Sequence, residues 1–268
     1  VPTLDATACA DLIEALTAVA ARATEAIRQA AGNAGLRQKD DGSPVTAADE
    51  AAEAVIRDGL SRLTPSVPII SEEQAAREKP HPVRGHGSYF LVDPLDGTRE
   101  FISGRDEYTV NIAIVTDGRP VLGIITAPAT GTVWRGIVGR GAERLALTDG
   151  KASPVAIHTR RCSSEQLVVM VSRSHLEERT KTYLERFPRA KLLQCGSSLK
   201  FARLAEGAAD LYARLAPTHD WDIAAGHAIL VAAGGCVTAP DGSPIAYGGA
   251  DLLIPAFLAW GQSKEPKA

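Results

Sequence analysis

Apolar residues recur at helical spacing along the first thirty positions. Leu12, Leu16, Val19, Ala23 and Ile27 fall on one face between residues 8 and 31, and Gly32 marks the stop. A second amphipathic run follows the turn Asp41-Gly42-Ser43-Pro44. Ala52, Val55, Ile56, Gly59 and Leu63 share its face, and Thr46 with Asp49 three residues on reads as a loose capping box. The pattern then shortens. "VPIISEE" predicts a strand that ends in Glu72 and Glu73, and residues 75–88, rich in Lys, Arg, His, Pro and Gly, predict a solvated loop. Tyr89 to Val92 predict another strand, which Pro94 should stop. "YTVNIAIV", "VLGIITA" and "TVWRGIV", joined at Asp117-Gly118 and Thr130-Gly131, predict an antiparallel meander.

Residues 139–166 are polar with scattered Gly and Pro, and predict a domain junction. Beyond them the strands "LVVMVS", "KLLQC" and "DLYARL" alternate with helices over 176–187, 197–207 and 221–233. That order predicts an α/β layer with crossover helices. The chain therefore divides into an N-terminal α+β half, residues 1–150, built on an antiparallel sheet, and a C-terminal α/β half, residues 151–268.

Composition narrows the partners. The 268 residues are 45% hydrophobic and 23% charged, enough for one large core or two that share an interface. A net charge of -3 and a pI near 6.1 give no bulk electrostatic case for nucleic acid. They leave room for a small anionic substrate, because a local cation can reverse the field at a site. Cys9, Cys162, Cys195 and Cys236 form no C-x-x-C pair and have no His at zinc-ligand spacing. They read as reduced thiols in the cytoplasm. No apolar run reaches the roughly 18 to 20 residues of a membrane span, and no signal-peptide pattern is visible.

The candidate chemistry sits at strand ends, where α/β sheets open into crevices. Glu72 ends one strand, Asp93 and Asp96 flank Pro94 at the end of another, and Asp222 lies in the first turn of a helix. Carboxylates that converge in a crevice repel one another unless a cation neutralises them. An all-oxygen set of Glu72, Asp93, Asp96, Asp222 and the Leu95 carbonyl suits a hard cation, Mg²⁺ before zinc. Gly97 lets backbone N–H groups approach an anion. Together these features point to phosphoryl transfer to water. Each also has a plainer reading. Asp96-Gly97 is a common turn, Asp220 and Asp222 can cap a helix, Glu72-Glu73 can be a solvated pair, and Asp49 can be a capping acid only.

"VTAAD", "SEE", "VDPLDGTREF" and "WDIAAGHAILVAAGG" resemble the inositol monophosphatase superfamily of metal-dependent, lithium-sensitive phosphatases over nearly the whole chain. "FISGRDEYTVNIAIV", "SRSH", "GSSLKF" and "DLYARLAPTHDWD" resemble its CysQ-type branch, the bacterial 3'(2'),5'-bisphosphate nucleotidases. The resemblance implies a layered αβαβα sandwich. It implies two or three Mg²⁺ ions on Glu72, Asp93, Leu95, Asp96 and Asp222, with Thr98 contacting the attacking water and Asp49 polarising Thr98. Gly97 and Thr98 would hold the phosphate being cleaved, and Glu73 would either support the water or face solvent. His175, Ser197, Ser198, Lys200 and Arg214 would choose the substrate, with Lys200 or Arg214 meeting a second phosphate and His175 nearer the ribose or base. The implied reaction is hydrolysis of adenosine 3',5'-bisphosphate to AMP and phosphate, which serves sulfate assimilation. It would run in a cytoplasmic monomer or weak dimer, with peripheral attachment to the inner membrane left open. Rival readings are an inositol or sugar phosphatase, and a phosphate-binding regulatory protein without turnover.

Overall fold

A computed structural model describes residues 2–31, 37–38, 44–78, 87–147, 153–162, 166–173 and 176–262. Gly32, the turn at Asp41 to Ser43, residues 79–86 of the expected loop, and His175 lie outside the described residues.

The two amphipathic runs form α1 (Ala6–Ala30) and α2 (Ala47–Leu63), with a small ribbon of β1 (Arg37–Gln38) and β2 (Pro44–Val45) between them. Asp5 caps α1, its Oδ1 accepting the N–H groups of Thr7 and Ala8 at 2.9 Å each. Then come β3 (Ile69–Ser71), α3 (Glu72–Arg77), β4 (Ser88–Asp96), α4 (Thr98–Ile102), β5 (Thr109–Thr116), β6 (Arg119–Ala127), β7 (Thr132–Ile137), β8 (Gly141–Ala146) and β9 (Val155–Ile157). These seven β-strands make one sheet in chain order, antiparallel except for the parallel pair β3–β4. Its two faces follow the strand period of two. Phe90, Val92, Val110, Ile112 and Ile114 point into the core shared with α1 and α2. Tyr89, Leu91, Ala113 and Val115 point the other way.

The second half supplies β10 (Val168–Ser172), α5 (Glu178–Leu184), β11 (Lys191–Cys195), α6 (Leu199–Ala205), β12 (Leu211–Arg214), β13 (Thr218–His219), α7 (Asp220–Ala232), β14 (Cys236–Thr238), β15 (Leu253–Ile254) and β16 (Phe257–Trp260). Its main sheet runs β11-β10-β12-β16-β14. The first three strands are parallel, joined by crossovers through α5 and α6, and β16 and β14 are antiparallel to their neighbours. α7 packs on β4 to β8 and against α6, which in turn touches β12. Leu184 and Tyr183 of α5 cover the outer face at Val169, Leu211 and Trp260. The layers are thus helices, sheet, helices, sheet, helix, the αβαβα order expected.

Three details differ from the sequence reading. β4 does not stop at Pro94 but runs to Asp96, because the register slips by one residue between Asp93↔Asn111 and Asp96↔Thr109. Pro94 falls in that bulge, where its missing N–H leaves no ladder bond unmade. The polar stretch 139–166 is not all junction: β8 and β9 extend the first sheet to Ile157. β9 is the edge strand and β8 its neighbour, and both are largely exposed, so their apolar signal is thin. The antiparallel β14 and β16, absent from the expected βαβαβα order, complete the second sheet. No helix among the described residues is long and apolar enough to cross a membrane.

Candidate active site

The end of β4, the starts of α3, α4 and α7, and the turn before α6 surround one cavity of about 290 Å³. Glu72, Asp93, Leu95, Asp96, Gly97, Thr98, Ser197, Ser198, Lys200, Arg214 and Asp222 all line it, so the structure brings these predicted residues together. One carboxylate oxygen from each of Glu72, Asp93 and Asp222 lies within 4.8 Å of the others. Three acids from three separate elements at this spacing form an all-oxygen donor set that fits a hard divalent cation.

Neighbouring N–H groups orient the acids. Asp93 is buried, and its Oδ1 accepts Leu95 N–H at 3.0 Å across the bulge. Asp222 is the third residue of α7; its Oδ2 accepts His219 N–H at 3.0 Å and the Thr218 hydroxyl. Asp96 Oδ2 accepts Ser198 N–H at 2.6 Å and Asn111 Nδ2 at 3.5 Å. Burial, and then the Asp222 carboxylate, push the Asp96 carboxyl up to about 6, against the pull of Lys200, Ser198 and Asn111.

Asp49 divides its two oxygens. Oδ2 accepts Thr46 N–H at 2.7 Å and the Thr46 hydroxyl at 2.6 Å, which is the capping box of α2. Oδ1 accepts the Thr98 hydroxyl at 3.2 Å, and Leu95 O accepts the same hydroxyl at 3.1 Å. One oxygen of Asp49 thus caps α2 and the other meets the Thr98 hydroxyl, so the capping role does not compete with that contact.

The second-half residues differ in what they offer. Ser198 is buried, with its hydroxyl donating to Asn111 Oδ1 at 2.6 Å and lying 2.8 Å from Thr109 Oγ1. Lys200 is also buried, and its Nζ donates to the carbonyls of Cys195 (3.3 Å) and Ser197. Arg214 Nη2 donates to Pro217 O at 3.2 Å, while its buried Nε has no hydrogen-bond partner. Glu73 is buried rather than solvent-facing and is not among the residues that line the cavity. His227, in the "GHA" segment, bonds through Nδ1 to the Tyr247 hydroxyl at 2.9 Å, away from that lining. Sequence reasoning passed over Thr109, Asn111, Thr218, Glu107 and Arg173. The signal for Thr109 and Asn111 was present, since they are polar residues on alternate positions of an otherwise apolar strand.

A model of the inositol monophosphatase family matches residues 9–266. The chain belongs to this family. Over 210 residues it is 43% identical to the 3'(2'),5'-bisphosphate nucleotidase CysQ of Escherichia coli K12, covering 78% of this chain and 81% of that one. The CysQ of Buchnera aphidicola is 41% identical, with 78% and 76% covered. Among solved structures, CysQ from Bacteroides thetaiotaomicron superposes with a TM-score of 0.80 at 34% identity over 94% of this chain and 97% of that one. An Anabaena inositol monophosphatase at 24% identity and a TM-score of 0.73 shares the fold.

Proposed function

We propose that this chain is a Mg²⁺-dependent 3'(2'),5'-bisphosphate nucleotidase that converts adenosine 3',5'-bisphosphate to AMP and phosphate. The carrying observation is that the triplet Glu72, Asp93 and Asp222 shares one cavity with Thr98, whose hydroxyl donates to Asp49. The choice of a nucleotide is supported by identity to the named nucleotidases over most of the chain.

Glu72, Asp93, Asp96, Asp222 and the Leu95 carbonyl would hold Mg²⁺, which supplies charge to the phosphoryl oxygens and lowers the pKa of a water. Thr98 orients that water. Its own proton points to Asp49 and the Leu95 carbonyl, so an oxygen lone pair remains to accept a hydrogen bond from the water. Asp49, already accepting from Thr46, keeps the hydroxyl in that direction and accepts, through it, the proton that the water loses. The water oxygen bonds to phosphorus, the bond from phosphorus to the 3'-oxygen breaks, and that oxygen leaves as the hydroxyl of AMP with a proton taken from solvent. The Gly97 and Thr98 N–H groups hold the phosphate being cleaved. Arg214 is our candidate for the distal phosphate, because its Nε is buried at the cavity without a partner. Lys200 already spends its ammonium on two carbonyls. The four free thiols and net charge of -3 support a cytoplasmic enzyme acting on a small molecule.

Phosphate release would be measured on adenosine 3',5'-bisphosphate, inositol 1-phosphate and a sugar bisphosphate, with Mg²⁺ and with chelator. The nucleotide should have the highest kcat/KM, and chelator should abolish turnover. Arg214→Met should raise KM for the bisphosphate by about ten- to a hundred-fold, the worth of one charged hydrogen bond, and leave inositol 1-phosphate nearly unchanged. A preference for inositol 1-phosphate would overturn the substrate assignment, and full activity in chelator would overturn the metal.

A further inference from the structure

Three polar residues approach and enter β5 at alternate positions: Glu107, Thr109 and Asn111. Alternate residues of a strand share a face. Here it is the face that Ala113 and Val115 bury toward the α6–α7 layer, while Val110, Ile112 and Ile114 point into the opposite core. All three residues end on the turn Gly196–Ser198. Glu107 Oε2 accepts Gly196 N–H at 2.8 Å. Thr109 Oγ1 lies 2.8 Å from Ser198 Oγ, and Asn111 Oδ1 accepts that hydroxyl at 2.6 Å. The same turn then delivers Ser198 N–H to Asp96 Oδ2 at 2.6 Å.

The backbone around this contact leaves little slack. A Cβ on Gly97 would lie 2.9 Å from the Glu107 carbonyl oxygen, and one on Gly196 would lie 2.8 Å from it, so two glycines seat one carbonyl. Ser197 sits at φ +48°, a left-handed conformation that a non-glycine residue keeps only when its surroundings impose it. Arg173, just past β10, grips Glu107 with Nε at 2.8 Å and Nη2 at 2.6 Å. That guanidinium, with the Gly196 N–H, holds the Glu107 carboxyl below the usual carboxylate range.

We propose that Glu107, Thr109 and Asn111 are positioning residues that set the Gly196–Ser198 turn and aim Asp96 at the metal through the Ser198 N–H, with Asn111 also donating to Asp96 directly at 3.5 Å. None of the three is among the residues that line the cavity. The inference rests on the reading of Asp96 as a metal ligand. It makes metal affinity depend on how the second sheet docks on the first, because the turn belongs to one half and Asp96 to the other.

The test is Mn²⁺ titrated calorimetrically into metal-free protein, beside melting curves of the same samples. Asn111→Ala should weaken Mn²⁺ by about ten- to a hundred-fold, the usual cost of removing a hydrogen-bond partner of a ligand. Thr109→Val, which keeps the side-chain shape and loses one hydroxyl bond, should weaken it less, and it carries the test if Asn111→Ala does not fold. A residue that acts through Asp96 adds nothing once Asp96 is gone. So Asp96→Asn with Asn111→Ala should bind Mn²⁺ as Asp96→Asn alone does. Additive losses would overturn the proposal, as would unchanged Mn²⁺ affinity in both Asn111→Ala and Thr109→Val while Asp96→Asn binds weakly. Wild-type affinity in Asp96→Asn would instead remove the ligand reading on which the proposal stands.

Discussion

Two of the places where this molecule gathers charge do it in opposite ways. At Arg135, in β7, every guanidinium nitrogen has an acceptor. Nε donates to Glu143 at 2.7 Å, Nη1 to Thr17 at 2.9 Å, and Nη2 to Glu14 at 2.6 Å. Arg135 and Glu143 are also cross-strand partners, so sheet register alone brings them together. At the mouth of β4 the acids outnumber the cations, Glu72, Asp93, Asp96, Glu100 and Asp222 against Arg99, Lys200 and Arg214. Glu72, Asp93 and Asp222 converge, and Asp96 feels the Asp222 carboxylate. The N–H groups of Leu95, Ser198 and His219 orient these acids without neutralising them. A cluster that closes its own account serves the fold. One that keeps a surplus of carboxylate repels itself unless a cation is supplied from outside, and the proposed metal site rests on that asymmetry.

The sharpest break in the comparison comes from removing one acid at each place. Asp93→Asn should lower kcat/KM by more than the roughly hundred-fold cost of losing a ligand's hydrogen-bond partner. Its metal-free melting temperature should hold or rise, because the crowded acids repel one another in the absence of metal. The paired change Glu14→Ala with Glu143→Ala should do the reverse. It strands a guanidinium that is 3% exposed, costing about 3 kcal/mol of stability, and leaves kcat/KM of the folded enzyme unchanged. Near-normal activity in Asp93→Asn would end its assignment as a ligand. A metal-free melting temperature that drops as far as in the Arg135 variant would show that the acids serve the fold after all.

A smaller effect separates the two oxygens of Asp49. Thr98→Ala should cost about 10²- to 10⁴-fold in kcat, the range of a positioned proton-transfer group. Asp49→Asn should cost a similar factor, and the double variant little more, because the two act as one unit on the water. Asp49→Asn should also melt earlier through its weakened capping box, whereas Thr98→Ala should not. Multiplicative losses in kcat would mean that Asp49 serves α2 alone.

What was legible in the sequence was local. The Asp93 to Thr98 run, the Thr46–Asp49 box and the helical faces all rest on spacings within a turn or two, and the structure keeps each of them. Asp49 reaching Thr98 joins residues 49 positions apart, and only resemblance suggested it. Thr109 and Asn111 were visible as polar breaks in "YTVNIAIV". Their purpose depends on a turn nearly ninety residues further on, which no local pattern encodes. Ser198 and Lys200 stood in the right segment, but a sequence does not say which way a side chain turns. Both face inward to protein partners. β8 and β9 escaped notice because "GAERLA" and "VAI" are largely exposed, and strands at or next to a sheet edge carry few apolar residues.

The finest contrast is in acid. The Arg135 bond holds Glu14 below the ordinary 4.5, and Arg173 with Gly196 holds Glu107 below the same value. A carboxyl whose folded pKa is depressed binds fewer protons in the folded state than in the unfolded state. Its stabilisation is therefore complete above 4.5 and disappears as pH falls through the folded value. In metal-free protein, denaturant midpoints for wild type, Glu14→Gln and Glu107→Gln would be compared from neutrality to about pH 3. Each variant should trail wild type at neutral pH, with the gap narrowing to nothing at the acid end. The Glu107 gap should be the larger, since its side chain is 26% exposed and that of Glu14 is 75% exposed, where water screens the pair. A gap that stays constant across the range would mean that the side chains contribute shape rather than charge. An equal gap at both sites would mean that burial, the feature that distinguishes the Glu107 clamp from an ordinary surface pair, has no energetic weight there.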